Sequence, residues 1–443
     1  MREEQVSATM GSVSAEDASR ITPSPAANAP VANADSGTDG STRATAPGSA
    51  ASIDARLLGR LLRSLGDPPI EFELPWSGER VGPSAPLGHV RILDRRTLYG
   101  LLRDPQVYFG DAYSAGKIEV DGDLVDFMVS LFRIFSAPEP PSLARRIGRW
   151  VHVPRRNTLA GSRDNIHRHY DLGNDFYALW LGKTMAYTCA YYPTANATLD
   201  EAQIAKMDHV CRKVRLGASD SVIEAGCGWG GLALHMARRY GATVRAFNIS
   251  REQIEFARRR AREEGLDGRV EFIEDDYRNI SGSCSVFVSV GMLEHVGREN
   301  YAELGRVARR SMTADARGLI HSIGRNQPGR LQPWIERRIF PGAYPPSIGE
   351  MMQIFEPANL SVLDVENIRL HYARTLRDWL ALYERSIGAV RAMFDERFAR
   401  MWRLYLAGSI AGFETGTLQL FQVLFTRQEN NAIPWTRDYM YPR

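Results

Sequence analysis

A glycine-rich turn between an apolar strand and a helix constrains the fold of this chain more than any other feature. Residues Ser221 to Gly231 read SVIEAGCGWGG, and a run typical of a helix, Leu232 to Tyr240, follows. A tight turn needs unusual backbone dihedrals, and a side chain in it would occupy the space of the ligand. Both reasons favour glycine at the positions of Gly226, Gly228 and Gly230. The pattern predicts a strand, turn and helix that bind a nucleotide-like ligand.

The spacing within the turn narrows the class of ligand. The turn lacks the G-x-G-x-x-G of dinucleotide sites and the G-K-[ST] of P-loops, and an acid, Glu224, directly precedes it. An acid at this place suits S-adenosylmethionine. We therefore interpret the motif as the cofactor site of an S-adenosylmethionine-dependent methyltransferase.

Strand-like and helix-like runs alternate through the second half of the chain. This alternation predicts a doubly wound, Rossmann-like α/β sheet of the class I methyltransferase type, with its ligand at the carboxyl ends of the strands. The predicted strands are Ser221–Ala225, Thr243–Asn248, Val270–Ile273, Val286–Val290 and Gly318–Ile323.

Two further strand ends are expected to complete the cofactor pocket. By the geometry of this fold, Asn248 with Gln253 should reach the ribose, and Asp276 with Tyr277 should reach the adenine. Ser250 belongs to the same pocket, and its spacing to Gln253 is that of a capping box. An ordinary turn role for Asn248 stays open.

Composition divides the chain into four segments. Residues 1–52 are rich in Ala, Ser, Thr, Pro and Gly, which predicts disorder. Residues 53–137 predict a small α+β accessory domain, 138–163 a basic linker, and 164–443 the catalytic domain. The linker carries Trp150 and five arginines. This composition fits either a contact with a membrane surface or an ordinary solvated linker. These arginines are Arg145, Arg146, Arg149, Arg155 and Arg156.

The net charge and the cysteine pattern narrow the classes of partner and ligand expected for this chain. A net charge of +3 does not indicate nucleic acid, and no apolar run is long enough to span a bilayer. The four cysteines form no C-x-x-C pair, and we expect His167 and His169 to be lid or cap residues, so no metal site is predicted. Without a secretory signal, a cytoplasmic location is expected, and a homodimer is left open.

Ten short segments of the chain form a distinctive set. They are HYDLGNDFY (169–177), MAYTCAYY (185–192), EAGCGWGG (224–231), ISREQ (249–253), DYR (276–278), SVGMLEHVG (289–297), IHSIG (320–324), IFPG (339–342), HYARTL (371–376) and FQVLFTR (421–427). Together they resemble the family of cyclopropane-fatty-acyl-phospholipid synthases and mycolic acid cyclopropane synthases. The resemblance spans about Asn165 to Arg427, and the 53–137 module is similar to the family's accessory N-terminal domain.

The resemblance implies methyl transfer from S-adenosylmethionine to a cis alkene in an acyl chain, followed by ring closure. The carbocation formed would be stabilised by aromatic faces, and a bound bicarbonate ion would remove a proton. By resemblance, Tyr187 and Thr188 contact the methionine part of the cofactor. The matching anion-binding positions are Cys189, Glu294, His321, the Ile323 backbone and Tyr372.

Each of these residues has a plain structural alternative, such as a buried cysteine or a core histidine, and the joint match favours the functional interpretation. The implied partners are membrane phospholipids with unsaturated chains, reached from the cytoplasmic side at an anionic surface. Three hypotheses follow: cyclopropanation, methylation without ring closure to give methylene- or methyl-branched chains, and a non-catalytic lipid-binding protein.

Overall fold

The first part of the chain folds into a small α+β module. Its four strands form one sheet in the order β2-β1-β3-β4, and β1 alternates buried and half-buried residues, as a strand covered on one face should. The elements are α1 (Ile53–Ser64), β1 (Ile70–Leu74), β2 (Glu79–Val81), β3 (Gly88–Ile92), α2 (Arg95–Arg103), α3 (Pro105–Ser114), β4 (Ile118–Asp121) and α4 (Leu124–Ser136).

The structure, a computed structural model, describes residues 51–136 and 172–441. The predicted disorder of 1–52 therefore lies outside the described residues except for the last two positions. The basic linker 138–163, the start of the catalytic domain at 164, and His167 and His169 also lie outside them. The predicted segment boundaries remain predictions.

A seven-stranded sheet forms the centre of the second part. Its strands are β5 (Ser221–Ala225), β6 (Thr243–Asn248), β7 (Val270–Glu274), β8 (Cys284–Val290), β9 (Met312–Gly324), β10 (Leu360–Asn367) and β11 (Gln419–Arg427). The spatial order is β10-β11-β9-β8-β5-β6-β7. Strands β5 to β9 pair in parallel, whereas β11 is antiparallel to β9 and β10. The predicted doubly wound sheet is confirmed, and its antiparallel edge is an addition.

Helices cover both faces of this sheet. Val222 and Leu319 pack into one apolar core with α6 to α8, while their neighbours Ile223 and Ile320 pack into another with α9 and α11. The helices are α5 (Asn174–Ala178), α6 (Leu199–Lys213), α7 (Gly231–Tyr240), α8 (Arg251–Glu263), α9 (Tyr301–Ser311), α10 (Pro333–Arg338), α11 (Ile348–Phe355), α12 (Arg369–Arg385), α13 (Ile387–Met393) and α14 (Glu396–Glu414).

The module packs directly on α10 and α14. A Cβ built on Gly110 of α3 would lie 2.4 Å from the Trp334 ring of α10, so only glycine allows this approach. Arg400 of α14 donates to the carbonyls of Tyr113, at 2.7 Å, and Ile118, at 3.0 Å. One apolar core consequently runs from the module into α5, α12 and α14.

Within the two described ranges, no helix combines the length and the hydropathy that a bilayer crossing requires.

Candidate active site

The glycine turn lies at the carboxyl end of β5, as predicted. Gly226, Gly228 and Gly230 have φ values of +84°, +53° and +80°, a region that residues with a Cβ rarely adopt. The amides of Gly226 and Cys227 donate to the Phe247 carbonyl of β6, at 2.9 and 3.0 Å. The turn is thereby fixed between two strands, and α7 begins directly after it.

The three glycines differ in what a side chain would meet. A Cβ on Gly226 would lie 2.8 Å from Met292, and one on Gly230 would lie 2.6 Å from Phe272. At these two positions the sequence argument needs correction, because protein packing already excludes a side chain there. A Cβ on Gly228 would have no atom of the described residues within 4 Å. Open space beside this turn fits the predicted cofactor.

Glu224, the acid before the turn, is buried beside a buried lysine. Burial raises the pKa of Glu224 to about 8, against the opposing field of Lys206. Within residues 51–136 and 172–441, its Oε2 atom has no hydrogen-bond partner. An unpaired buried carboxylate oxygen is costly, so this atom fits a ligand that donates a hydrogen bond at the turn.

The predicted ribose residues lie together at the end of β6. Asn248 Nδ2 donates to Gln253 Oε1 at 2.7 Å, and Ile249 N–H donates to Asn248 Oδ1 at 2.9 Å. Ser250 caps α8 by accepting from the Gln253 amide. Because the Gln253 side chain pairs with Asn248, only this half of the capping box is seen. The local turn bond of Asn248 is present, and its ribose contact remains a prediction.

Asp276 and Tyr277 follow the end of β7. Both Asp276 oxygens accept from Arg278, at 2.8 and 3.1 Å, which orients this buried carboxylate. The Tyr277 hydroxyl is buried and has no hydrogen-bond partner in the described part of the chain. The Asp275 amide donates to the Asn248 carbonyl at 3.0 Å, so the two predicted halves of the pocket are adjacent.

The segment that carries Tyr187 and Thr188 covers the carboxyl edge of the sheet. Thr188 lies against Gly291 at the end of β8, where an added Cβ would be 2.6 Å from its methyl group. Gln203 of α6 donates to the Thr188 carbonyl at 2.9 Å. Tyr187 shares a hydroxyl hydrogen bond of 2.8 Å with Tyr405 of α14. The predicted methionine-contacting residues are therefore held beside the turn.

The predicted covering segment also reaches the turn. Trp229 of the turn donates from Nε1 to Asn174 Oδ1 at 2.6 Å, and its ring lies 4.9 Å from that of Tyr177. Residues 169–171 of this segment lie outside the described residues.

Two predicted anion-binding residues meet where the turn after β8 contacts β9. The Ile323 amide donates to Glu294 Oε1 at 2.6 Å, while Oε2 has no partner among the described residues. Burial raises the pKa of Glu294 to about 7 despite this bond. Two residues before Ile323, His321 pairs its Nδ1 with Gln422 Nε2 at 3.1 Å, and its Nε2 has no partner in the described ranges. Burial lowers the pKa of His321 to about 3, so the ring is neutral.

Cys189 and Tyr372 lie along α12. The Ala190 amide donates to Thr375 Oγ1 at 3.0 Å, which sets Cys189 against this helix. Burial raises the pKa of the Cys189 thiol well above its usual range. Tyr372, one turn before Thr375, is buried with its ring 4.6 Å from Phe413. The structure joins Glu294 and Ile323 by a direct hydrogen bond and links Cys189 and Tyr372 through α12.

Aromatic side chains form the wall beside Tyr187. Its ring lies 5.2 Å from Trp180 and 5.5 Å from Trp379. Phe176 and Trp402 extend the cluster from there, with rings 5.0 Å apart. These rings provide the dry, π-rich surroundings in which positive charge is stabilised without a nucleophile.

Sequence reasoning missed three residues that hold the site together: Lys206, Gln203 and Gln422. Each is polar but buried, and each lies at a core position of an α-helix or strand. Lys206 lies four positions and Gln203 seven positions before Val210, so helical spacing places both polar side chains on the buried face of α6. This spacing is the signal that could have identified them. Gln422 interrupts an otherwise apolar strand in the same way.

Comparisons with known proteins agree with this geometry. The profile of the family described as mycolic acid cyclopropane synthetase matches residues 158–423. A probable fatty acid methyltransferase of Pseudomonas putida is 37% identical and covers 84% of this chain and 96% of its own. The cyclopropane-fatty-acyl-phospholipid synthase of Escherichia coli K12 is 38% identical over 60% of this chain and 68% of its own.

A solved structure shares the catalytic fold. A mycolic acid cyclopropane synthase complexed with SAH and CTAB superposes with a TM-score of 0.57 at 28% identity. The match covers 59% of this chain and 97% of that one.

Proposed function

Since this chain belongs to the mycolic acid cyclopropane synthetase family, we propose that it methylates the cis double bond of unsaturated phospholipid acyl chains and closes a cyclopropane ring. The chain is an S-adenosylmethionine-dependent methyltransferase, as the sequence predicted. The hypothesis of a non-catalytic lipid-binding protein is accordingly set aside. The acyl-chain substrate and the ring closure are the proposal.

The observation that carries the proposal is a pair of buried atoms that have no partner among the described residues, Glu294 Oε2 and His321 Nε2. A generic methyltransferase that acts on nitrogen or oxygen has no need of an anion held in an apolar wall. Buried polar atoms without partners are costly, and these two both belong to residues at the matched anion-binding positions. Here they fit a small oxyanion that accepts and donates hydrogen bonds.

The chain's own residues prepare the methyl transfer. When bound, S-adenosylmethionine supplies an electrophilic methyl group. The Gly228 turn leaves room for it, and the aromatic wall around Tyr187 excludes water from a weak alkene nucleophile. Cys189 does not capture the resulting carbocation, because burial keeps its thiol protonated.

Ring closure needs a proton acceptor beside the aromatic wall. When bound, bicarbonate supplies this base. Gln422 Nε2 donates to His321 Nδ1, so the His321 proton sits on Nε2, ready to donate to an oxyanion. Glu294 holds the Ile323 backbone in place, and its proton, present below a pKa of about 7, allows an anion nearby without repulsion.

The membrane part of the proposal concerns the approach to substrate. We expect peripheral contact with an anionic bilayer surface from the cytoplasm, because phospholipid chains must be lifted into the site. The arginines of the 138–163 linker lie outside the described residues, and dimerisation stays open.

One relative favours a second product. The Pseudomonas putida relative is named a probable fatty acid methyltransferase, and the same carbocation can follow other routes. Loss of a proton from a chain carbon beside the cation gives a methyl-branched alkene, and a 1,2-hydride shift before loss of a proton from the new methyl group gives a methylene branch. These branched products arise from the same site as the ring and are isomers of it.

The NMR spectrum of lipids from cells that express the chain separates these products, because ring and branched chains can share a mass. Cyclopropane methylene signals are expected. If the spectrum shows vinylidene or methyl-branch signals and no cyclopropane signals, the reaction is branching and not cyclopropanation. Unaltered lipids would refute both reactions. The Glu294→Gln variant should keep cofactor affinity in calorimetry but lose roughly two to four orders of magnitude in turnover, because the amide keeps the bond to the Ile323 backbone but cannot exchange a proton with the bound base.

A further inference from the structure

A buried lysine contacts the residue that precedes the proposed anion-binding residue Cys189. Lys206 is 2% exposed, and its Nζ donates to Thr188 Oγ1 at 2.9 Å. Thr188 precedes Cys189 directly. The charge of Lys206 acts on Glu224, Cys189 and His321. The charge of Lys213 also reaches His321, but Glu366 opposes it there.

Lys206 has no carboxylate within ion-pair distance among the described residues. Lys213, two turns later on the same helix, is equally buried but pairs with Glu366 at 2.6 Å and Asp364 at 3.6 Å. A buried ammonium without a counter-ion is costly. Lys213 therefore has its negative partners within the protein, and this contrast indicates that the negative partner of Lys206 is a bound anion.

The proposed anion site lacks a cation of its own. Its members are a protonated thiol, a carboxyl group, a neutral imidazole, a backbone amide and a phenol. Hydrogen bonds from these groups orient an oxyanion, but none supplies the positive charge that moving an anion out of water requires.

We propose that Lys206 is the counter-charge of the anion-binding site, and that its ammonium group sets the affinity for bicarbonate. This inference rests on the proposed function. Lys206 acts through the electric field rather than by touching substrate, so it is a positioning residue. Burial lowers the pKa of Lys206 to about 8, which keeps much of the charge present near neutral pH.

Two variants separate the charge from the hydrogen bond. Lys206→Met removes both, whereas Lys206→Gln keeps a donor for Thr188 and removes only the charge. Calorimetric titration of sodium bicarbonate into the full chain should show both variants weakened by about 10-fold to 100-fold, as expected for losing one buried charge. The matched control, Lys213→Met, should change bicarbonate affinity by less than about threefold, because Glu366 and Asp364 already offset its charge.

The outcomes are distinguishable. If Lys206→Gln binds bicarbonate like the unchanged protein, the lysine only holds Thr188 and the inference is overturned while the proposed function stands. If the unchanged protein neither binds bicarbonate nor is stimulated by it, the anion part of the proposed function fails, and the inference fails with it.

A measurement on the unchanged protein covers the case in which neither variant folds. Nitrate, a planar monovalent anion, should displace bicarbonate in the calorimeter. Urea at the same low concentration has a similar planar shape without charge and should not. Equal competition by the two would show that shape and hydrogen bonding, not charge, determine binding.

Discussion

Replacing Glu294 by glutamine should stabilise the protein at alkaline pH and leave its stability unchanged at acidic pH. In the folded protein, burial raises the pKa of Glu294 from 4.5 to about 7. The unfolded chain therefore releases this proton more readily, and stability falls as pH rises from about 4.5 to about 7. The full loss is about 3 kcal/mol.

Glutamine mimics the protonated acid without this cost. Its Oε1 can still accept from the Ile323 amide, so this hydrogen bond is retained. Below pH 4.5 both proteins are neutral at this site and should unfold alike. Above pH 7 the variant should gain about 3 kcal/mol, or about 3–4 °C in Tm for a chain of 443 residues.

The assay is thermal unfolding of both proteins at about pH 5 and about pH 8.5, in buffer depleted of bicarbonate. Glu350→Gln is a control of opposite sign. Burial raises the pKa of Glu350, but hydrogen bonds from Ser347, Tyr344 and Arg298 outweigh it and hold this pKa below its usual value. That variant should lose stability at the higher pH. An identical Tm change of Glu294→Gln at both pH values would refute the reasoning.

Three further changes test other parts of the site. Gly228→Ala should cost about 1–2 kcal/mol of stability because φ is +53°, and it should also weaken S-adenosylmethionine binding strongly in calorimetry. Gly230→Ala should mainly destabilise the protein. Unchanged cofactor affinity of Gly228→Ala would show that the open space beside Gly228 does not hold the cofactor. Gln422→Glu should move the His321 proton to Nδ1, visible in ¹⁵N NMR, and lower turnover; an unchanged tautomer would show that Gln422 does not set it. Gly110→Leu should expose α3 to limited proteolysis, and unchanged protection would refute the tight contact.

The parts of this fold that could be predicted from sequence are the local ones. The glycine turn and the cap at Ser250 depend on residues a few positions apart, so their spacing is visible directly. Strands β10 and β11 were missed because β11 pairs with β9 about a hundred residues earlier in the chain. Gly228 faces open space and Gly230 does not, because Phe272 lies against Gly230. No local sequence pattern relates Phe272 to the turn.

Buried polar atoms without a partner among the described residues occur in several parts of this protein, and three of them, Glu224 Oε2, Glu294 Oε2 and His321 Nε2, lie at the carboxyl edge of the sheet. Buried charged groups elsewhere form ion pairs, as His209 and Lys213 do with Glu366. An unpaired buried group destabilises the fold, so a ligand that pairs with the three atoms at the edge would offset that cost. Ligand binding should therefore raise Tm by the amount that its affinity and concentration set, and part of that affinity derives from this pairing.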